Sequence, residues 1–341
     1  MFEPLRTKRL LLRPVRASDT NALFERRNDP AVAEMQDWVT PFVFERAESL
    51  IAAVADMDGP GSAGWWMLTI ADASDTQIYG DLALKLENDG RSAEVGYSLA
   101  REHWGKGIAS EALTGLLDWL FEDQGVTRVA AMLLPENHRS ARLLETCGFV
   151  FEGHTRNSFW LGGENSDDWI YGLTPEQRTE WINRPRTAPE VVEFVEPSEL
   201  DFKTMIGIDH HHSQKRFVSP VVKSLALVAV PPIEQGGRVD LWPRAVMADG
   251  EPAGFMIMSR ITDAHPEPWI WRFLIDRRHQ RRGIGKRAVG LAIDQAREWG
   301  ASTLKLSFIE GVGSPRPLYL SMGFELTGEI LDGETVAQLK L

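Results

Sequence analysis

The sequence predicts two consecutive domains of the α/β class, each an α+β arrangement around a mixed sheet. Three observations lead to this prediction. The chain has 341 residues, more than the roughly 100–200 residues of an ordinary single domain. A pair of glycine landmarks occurs twice in the same order, and the same succession of strand and helix patterns surrounds both pairs. The chain therefore reads as a duplicated unit.

Composition excludes several classes of protein. Hydrophobic residues make up 43% and charged residues 25%, and no apolar run approaches the roughly 20 residues that span a bilayer. We therefore expect a globular, cytoplasmic protein without a membrane partner. The formal net charge of −12 repels phosphates and argues against nucleic acid as a partner.

A metal site is not predicted. Cys147 is the single cysteine, which excludes an internal disulfide and a zinc site built on thiolates. Its position beside Gly148 favours a small packing residue over a nucleophile. At most two side chains of the run His210-His211-His212 could share an ion, because successive residues point in different directions.

Residues 183–190 form the predicted connection between the domains. They include two prolines and show no hydrophobic periodicity, as expected for a linker. We place the first domain at residues 1–183, the linker at 184–190 and the second domain at 191–341.

Two landmarks define the repeat. The first copy contains Trp104-Gly105-Lys106-Gly107-Ile108-Ala109 and later Cys147-Gly148-Phe149. The second contains Gln280-Arg281-Arg282-Gly283-Ile284-Gly285 and later Met322-Gly323-Phe324. The step from Gly107 to Gly148 is 41 residues and the step from Gly283 to Gly323 is 40, a match that indicates duplication.

The same elements surround both landmarks. A strand pattern precedes each glycine turn, at residues 93–99 and 269–275, and a three/four-spaced apolar stripe typical of a helix follows it. The stripes are Ile108, Ala112, Leu113, Leu116, Leu117 and Leu120 in one copy, and Ile284, Ala288, Val289, Ala292, Ile293 and Ala296 in the other. Gly125 and Gly300 end the helices. A second strand follows at residues 128–134 and 302–308, and then a short helix runs into Gly-Phe.

A glycine turn between a strand and a helix has a chemical consequence. It presents unpaired backbone N–H groups at the positive end of the helix dipole, where phosphate binds readily. Neither turn is a Walker P-loop or a complete dinucleotide-binding fingerprint. A single such turn is often only a connection, and the recurrence favours a shared ligand.

These residues resemble the GNAT superfamily of acetyl-CoA-dependent N-acetyltransferases, whose motif reads Gln/Arg-x-x-Gly-x-Gly/Ala. The second copy fits every position, while the first has Trp104 at the leading position. The first half is similar to the branch that acetylates ribosomal-protein N-termini, through Ala93-Glu94-Val95-Gly96-Tyr97 and Asn137-His138-Arg139-Ser140. The second is similar to bacterial polyamine and diamine acetyltransferases, through residues 271–276 and Pro317-Leu318-Tyr319.

The resemblance implies acetyl-CoA as cofactor, with the loop amides on its pyrophosphate and the preceding strand beside its pantetheine arm. The implied contacts of the first copy are Tyr97, Leu99, Trp104, Gly105, Lys106, Gly107, Ile108, Ala109 and Asn137. Those of the second copy are Phe273, Ile275, Gln280, Arg281, Arg282, Gly283, Ile284, Gly285 and Lys286. The second copy lacks a counterpart of Asn137, since Gly311-Val312-Gly313-Ser314 stands there.

The resemblance also implies an acid that protonates the departing thiolate. Tyr319 lies four residues before Gly323, where the family carries this tyrosine, and a phenol stays protonated at neutral pH. The first copy has Leu144 at the matching position. Its nearest hydroxyl, Ser140, is either the acid, a contact of coenzyme A, or a helix cap.

Acetyl transfer also needs a neutral amine, and hence a base or a water chain. The candidate bases are Glu94 and Glu310, although either also fits an ordinary solvated glutamate. We expect acetyl transfer to a polyamine-like molecule, an amine antibiotic or a peptide N-terminus. The alternative is an acyl-CoA-binding regulatory or assembly protein that catalyses nothing. A longer acyl donor and a homodimer are both compatible with the sequence.

Overall fold

The structure is a computed structural model that describes residues 2–57, 59–60, 64–161, 164–234 and 237–341. The chain divides into two compact units, Met1–Ile182 and Asn183–Leu341. Residues 184–190, which the sequence suggests are a linker, fall within the second unit.

The described part of the first unit is built on an eight-stranded sheet with the order β1-β2-β3-β4-β5-β6-β8-β7. Its strands are β1 (Leu5–Arg6), β2 (Leu10–Pro14), β3 (Trp66–Asp72), β4 (Ile78–Glu87), β5 (Ser92–Leu99), β6 (Arg128–Leu133), β7 (Val150–Leu161) and β8 (Glu164–Leu173). Its helices are α1 (Thr20–Asn28), α2 (Pro30–Ala33), α3 (Phe44–Ala55), α4 (Ile108–Asp118), α5 (His138–Thr146) and α6 (Pro175–Asn183).

The second unit contains a seven-stranded sheet with the order β16-β17-β15-β14-β13-β12-β9, and a separate pair β10-β11. Its strands are β9 (Val192–Val195), β10 (Ile233–Glu234), β11 (Gly237–Arg238), β12 (Leu241–Ala248), β13 (Glu251–Ser259), β14 (Trp269–Ile275), β15 (Thr303–Phe308), β16 (Glu325–Leu331) and β17 (Glu334–Lys340). Its helices are α7 (Phe202–Gly207), α8 (Val221–Ala229), α9 (Ile284–Glu298) and α10 (Arg316–Ser321).

The two sheets repeat one topology. Reading from β2 in the first unit and from β9 in the second, seven strands follow in the same spatial order. In both sheets the strand before the glycine turn and the strand after the following helix pair in parallel, whereas their other neighbours are antiparallel. The α/β class and the mixed sheet predicted from the sequence are confirmed.

The central helices bury the residues that the apolar stripes predict. All six stripe residues of α9 are at most 6% exposed, and so are the six of the first copy. α9 ends at Glu298, two residues before Gly300. In the first copy α4 ends earlier, at Asp118, and one wider π-helical turn, Trp119–Asp123, leads to Gly125. Burial of these stripes against the sheet fixes where each helix begins.

One glycine on the neighbouring strand of each sheet allows a close approach of the backbone. A Cβ on Gly80 would lie 2.1 Å from the carbonyl oxygen of Ser98, and a Cβ on Gly254 would lie 2.5 Å from that of Leu274. These glycines pair with Leu99 and Ile275, the last residues of β5 and β14. The strand ends that lead into the glycine turns are therefore held tightly against their neighbours.

Among the described residues, no helix combines the length and apolar character that crossing a membrane requires.

The close approach at Gly254 predicts a contrast between two alanine substitutions in the second unit. Gly254→Ala forces the carbonyl of Leu274 away and lowers the free energy of unfolding by about 1–3 kcal/mol. Gly290→Ala, on α9 where a Cβ meets open space, raises it by about 0.5–1 kcal/mol because alanine favours the helix. Urea denaturation of the full chain measures both effects. Equal effects at the two positions would contradict the close approach.

Candidate active site

Each sheet contains a gap between its two parallel strands. β5 and β6 pair at three positions, from Ser92 with Arg128 to Glu94 with Ala130. β14 and β15 pair at two, the second being Ile270 with Leu306. Beyond these pairs β5 and β14 keep a ladder partner only on their antiparallel side. The free edge of each strand can therefore pair with an extended ligand inserted into the sheet.

The glycine turns lie at the open end of these gaps and face solvent. Gly105 and Gly107 have φ values of 71° and 73°, and both are exposed. Gly283 takes the same left-handed conformation, with a φ of 79°, and Arg281 does so at 65° although it carries a side chain. Gly107 and Gly283 each precede the first residue of a helix. The turn amides therefore meet a ligand at the positive end of α4 or α9.

The leading residue of each motif ties the turn to the end of the preceding strand. The indole Nε1 of Trp104 donates to the carbonyl of Leu99 at 3.0 Å. The side-chain Nε2 of Gln280 donates to the carbonyl of Ile275 at 2.9 Å. Both donors reach back five residues. Trp104, the departure of the first copy from the family motif, thus makes the same contact as glutamine.

Arg9, a side chain that sequence reasoning missed, also braces the first turn. Nη1 of Arg9 donates to the carbonyl of Lys106 at 3.0 Å, and its Nε pairs with Glu111 at 2.6 Å. Arg9 is half-exposed and adds a positive charge beside the turn. No local pattern reveals it, because Arg9 comes from the start of the chain.

Residues 187–190 brace the second turn, because their carbonyls accept hydrogen bonds from two arginines. Arg282 donates from Nε to the carbonyl of Thr187 at 2.7 Å, and its Nη1 donates to Nδ1 of His279. Arg287 donates to the carbonyls of Pro189 and Glu190. The Arg282 side chain is buried and committed to these partners, so its predicted contact with the cofactor rests on its backbone.

A cavity of about 400 Å³ in the second unit unites the glycine turn with the gap between β14 and β15. It brings together most of the predicted residues of the second copy, namely Phe273, Ile275, Gln280, Arg281, Gly283, Ile284, Gly285, Lys286 and Tyr319. Its far side is formed by residues for which the sequence suggested no role in binding cofactor or acceptor, His210, Gln214, Phe217 and Val218. They precede α8 and carry no recognisable motif.

Tyr319 lies at the floor of this cavity. Its side chain is 6% exposed, and its hydroxyl makes no hydrogen bond to another described residue. Burial raises the pKa of Tyr319 above its ordinary value, and the charge of Glu334 adds to the rise. The phenol is thus held protonated and free to donate.

Two polar residues beside Tyr319 were not anticipated from the sequence. Glu334, the first residue of β17, accepts a hydrogen bond from the hydroxyl of Ser307 on β15, and both line the cavity. The predicted base Glu310 is placed elsewhere. It is exposed, pairs with Arg316 at 2.9 Å, and does not line the cavity. The reason is topological: Glu310 lies past the end of β15, whereas Glu334 enters from the strand that pairs with β15.

The first unit assembles a different set of groups. Oδ1 of Asn137 caps α5 by accepting the N–H of Ser140 at 3.1 Å. The hydroxyls of Ser140 and Tyr97 lie 2.6 Å apart in a hydrogen bond. Burial raises the pKa of Tyr97. Leu144, which replaces the acid tyrosine, is fully buried. Ser140 therefore sits between the strand at the gap and the cap of α5.

Glu94 is the last residue of β5 that pairs with β6, and it is half-buried. Burial raises its pKa, the nearby Lys85 opposes the rise, and Glu87 and Asp168 add to it. Glu94 is therefore a better proton acceptor than an ordinary glutamate.

Cys147 is buried, which raises the pKa of its thiol to about 12 and leaves it unreactive.

The histidine run forms part of the protein framework. Nε2 of His210 lies 3.0 Å from the carbonyl of Val218, and its Nδ1 lies 3.1 Å from Asp209. Burial lowers the pKa of His211 to about 3. In the part of the chain that the structure describes, His, Cys, Asp and Glu side chains form no group of three or more suited to a metal ion.

Comparison with known proteins gives the same result for both halves. A family model described as "Acetyltransferase (GNAT) domain" matches residues 9–150, and one described as "Acetyltransferase (GNAT) family" matches residues 233–324. An uncharacterized N-acetyltransferase p20 of Bacillus licheniformis is 32% identical over 175 residues, which cover 50% of this chain and 96% of that protein. A spermidine N(1)-acetyltransferase of Vibrio cholerae is 36% identical over 77 residues, 23% of this chain and 44% of that protein.

Among solved structures, a GNAT-family acetyltransferase from Bacillus anthracis matches 51% of this chain and 99% of its own, at 22% identity and a TM-score of 0.47. The Bacillus licheniformis relative, almost the whole of which is matched, corresponds to half of this chain. The protein is accordingly a tandem member of the GNAT acetyltransferases, an N-acetyltransferase whose cofactor is acetyl-CoA.

Proposed function

We propose that the second unit transfers an acetyl group from acetyl-CoA to a primary amine by direct attack of the amine on the thioester. One observation carries the proposal: a single cavity joins the glycine turn, the free edge of β14 and the buried phenol of Tyr319. This arrangement fits an extended pantetheine arm that leads from a phosphate site to a proton donor. Acetyl-CoA supplies the activated acetyl group.

The turn residues hold the cofactor. Exposed amides at the start of α9 bind the pyrophosphate, and Arg281 and Lys286 add two positive charges on the cavity wall. Gln280 positions these amides through its bond to Ile275. The edge of β14 that faces the gap pairs with the amide groups of the pantetheine arm.

The polar residues at the cavity floor handle the protons. Glu334, alone or through a water, takes a proton from the incoming amine, and Ser307 orients its carboxylate. Tyr319 gives its proton to the departing thiolate. The C–N bond forms as the C–S bond breaks, so the products are the acetylated amine and the free thiol. Glu334 takes the role that the sequence suggested for Glu310.

The first unit supports a second cofactor site of the same design. Its turn is exposed and Trp104 replaces the glutamine contact. Ser140, hydrogen-bonded to Tyr97, is the candidate acid, and Glu94 is the candidate base. The acidic neighbours Glu87 and Asp168 favour a cationic amine here. The similarity of the chain to a protein named a spermidine N(1)-acetyltransferase also favours a cationic acceptor.

Thiol release from acetyl-CoA, measured over polyamines, aminoglycosides, N-terminal peptides and amino acids, tests the function. Three forms of the full chain separate the sites: the unchanged protein, Gly107→Glu, and Gly283→Glu. A glutamate at either glycine strains the left-handed turn and places a negative charge among the phosphate-binding amides. Unchanged release in Gly283→Glu for every acceptor would contradict catalysis in the second unit.

The hydrogen bond from Trp104 to Leu99 gives a prediction for the first site. Trp104→Phe removes the donor and weakens coenzyme A binding by up to about tenfold, since a hydrogen bond contributes roughly 0.5–1.5 kcal/mol. Trp104→Gln restores the donor found in the second copy and keeps most of the affinity. Calorimetric titration in the Gly283→Glu background measures both. Equal affinities of the Phe and Gln variants would show that the contact does not matter.

Removing the hydroxyl of Tyr319 tests the assigned acid. In the Gly107→Glu background, Tyr319→Phe lowers kcat by about 10²-fold or more, because general acid catalysis contributes on that scale. The aromatic ring stays, and the lost hydroxyl has no hydrogen bond to another described residue, so the unfolding midpoint stays within a few degrees. An unchanged kcat at every pH would rule out the role.

The raised pKa of Tyr319 predicts how kcat of the Gly107→Glu variant depends on pH in the alkaline range. The acid is active when protonated, and a pKa above the ordinary value of about 10 keeps it protonated through neutral and mildly alkaline pH. We expect no loss of kcat between pH 7 and pH 10 at saturating acceptor. A loss with a midpoint below pH 10 that disappears in Tyr319→Phe would contradict the burial effect.

A further inference from the structure

The charges on the cavity wall of the second unit suit one class of acceptor. Arg281 and Lys286 line the cavity at the glycine turn, where the phosphates of the cofactor balance them, so the acceptor meets the guanidinium of Arg272 and the carboxylate of Glu334. A polyamine carries several positive charges and needs several carboxylates along its path. The acceptor side of the cavity instead offers one guanidinium and one carboxylate. An acceptor that fits it carries a negative charge in addition to its amine.

Arg272 is the cation placed for that charge. Arg272 pairs with Ile257 of β13 and lies on the same face of β14 as Leu274. On this face Leu274 packs in a cluster with Phe255 and Val218. Phe273 and Ile275 lie on the other face, where α9 packs. Arg281 and Lys286 belong to the turn and the start of α9. Arg272 thus lies on the face away from the cofactor turn.

The guanidinium of Arg272 has hydrogen-bond donors left for a ligand. Its Nη1 donates to the carbonyl of Trp271 at 2.8 Å, and it forms no ion pair with an acid of the described residues. A half-buried arginine without a carboxylate partner is the residue type that binds an incoming carboxylate through two parallel hydrogen bonds. The indole Nε1 of Trp271 is likewise buried without a hydrogen-bond partner in the described part of the chain.

The same side of the cavity presents apolar surface beside the polar residues His210 and Gln214. Phe217, Val218 and the ring of Trp271 line it together with Arg272. A ligand anchored by a carboxylate at Arg272 would lay an apolar or aromatic side chain against these residues. Glu334 and Tyr319 lie at the floor, where the amine must reach the thioester.

We propose that the acceptor of the second unit is an amino acid with an apolar side chain, whose carboxylate pairs with Arg272 while its amine is acetylated. This proposal rests on the proposed function of the same site. The reaction forms the amide C–N bond, breaks the C–S bond, passes the amine proton toward Glu334 and leaves coenzyme A as the thiol. Arg272 acts on specificity and binds no proton in the reaction.

Matched acceptors in the Gly107→Glu background test the proposal. Phenylalanine, leucine and lysine are each compared with their carboxamides and with the amines that lack the carboxyl group, phenethylamine, isoamylamine and cadaverine. We expect kcat/KM for each acid to exceed that for its amide and its amine by at least about tenfold, as a charge-assisted pair contributes on that scale. Phenylalanine and leucine should exceed lysine.

Arg272→Gln should remove this preference and raise the acceptor KM by about tenfold or more, while the KM for acetyl-CoA stays within twofold. Arg297→Gln, an exposed arginine on α9 paired with Asp294, is the matched control and should change neither. A second readout is independent of turnover: calorimetric binding of phenylalanine to the protein saturated with coenzyme A should be lost in Arg272→Gln and kept in Arg297→Gln.

The outcomes separate the two proposals. Tyr319-dependent turnover in which amides or polyamines equal or exceed the acids would overturn the amino-acid acceptor and leave the transferase site standing. A rise in the KM for acetyl-CoA alone in Arg272→Gln would assign this residue to the cofactor and overturn the acceptor role. Absence of turnover for every acceptor, together with absence of phenylalanine binding, would overturn both proposals.

Discussion

Each site depends on one constraint: the two neighbouring parallel strands of its sheet separate after a short stretch of pairing. Parallel strands normally continue side by side, yet β5 and β6 pair at three positions and β14 and β15 at two. The unpaired backbone beyond those positions must find a partner when shielded from water. An extended arm with amide groups meets that need. The same separation of the strands leaves room at the centre of the second sheet, where the side chains of Tyr319 and Glu334 line one cavity.

Duplication has preserved this framework while the chemistry of the copies has diverged. Strand order, gap, left-handed turn and strand-to-turn contact recur, although the contact uses tryptophan in one copy and glutamine in the other. Around each gap the charges differ. Acidic side chains influence Glu94 in the first unit, whereas cations outnumber acids in the cavity of the second. The proposed donor site is formed by the backbone of the fold, and the proposed acceptor contacts are formed by side chains.

The fold was largely predictable because its signals are local. Glycine turns, helix stripes and spacing lie within one stretch of each copy, and the buried stripe residues follow the predicted pattern. Several residues around the glycine turns and the cavity were not predictable in the same way. Arg9, Glu334 and the residues before α8 reach the sites through strand pairing and packing across long sequence separations. Glu310 shows the converse: it follows β15 closely in sequence, yet it pairs with Arg316 and does not line the cavity.

Part of the predicted linker also contacts the second glycine turn and its helix. Thr187, Pro189 and Glu190 offer carbonyls to Arg282 and Arg287 at the beginning of α9. Shortening or lengthening this stretch would leave the buried guanidinium of Arg282 without its carbonyl partner at the turn that leads into α9. Recombination between such proteins is therefore expected to succeed at breakpoints upstream of residue 187, and to damage ligand affinity when the junction falls just before β9.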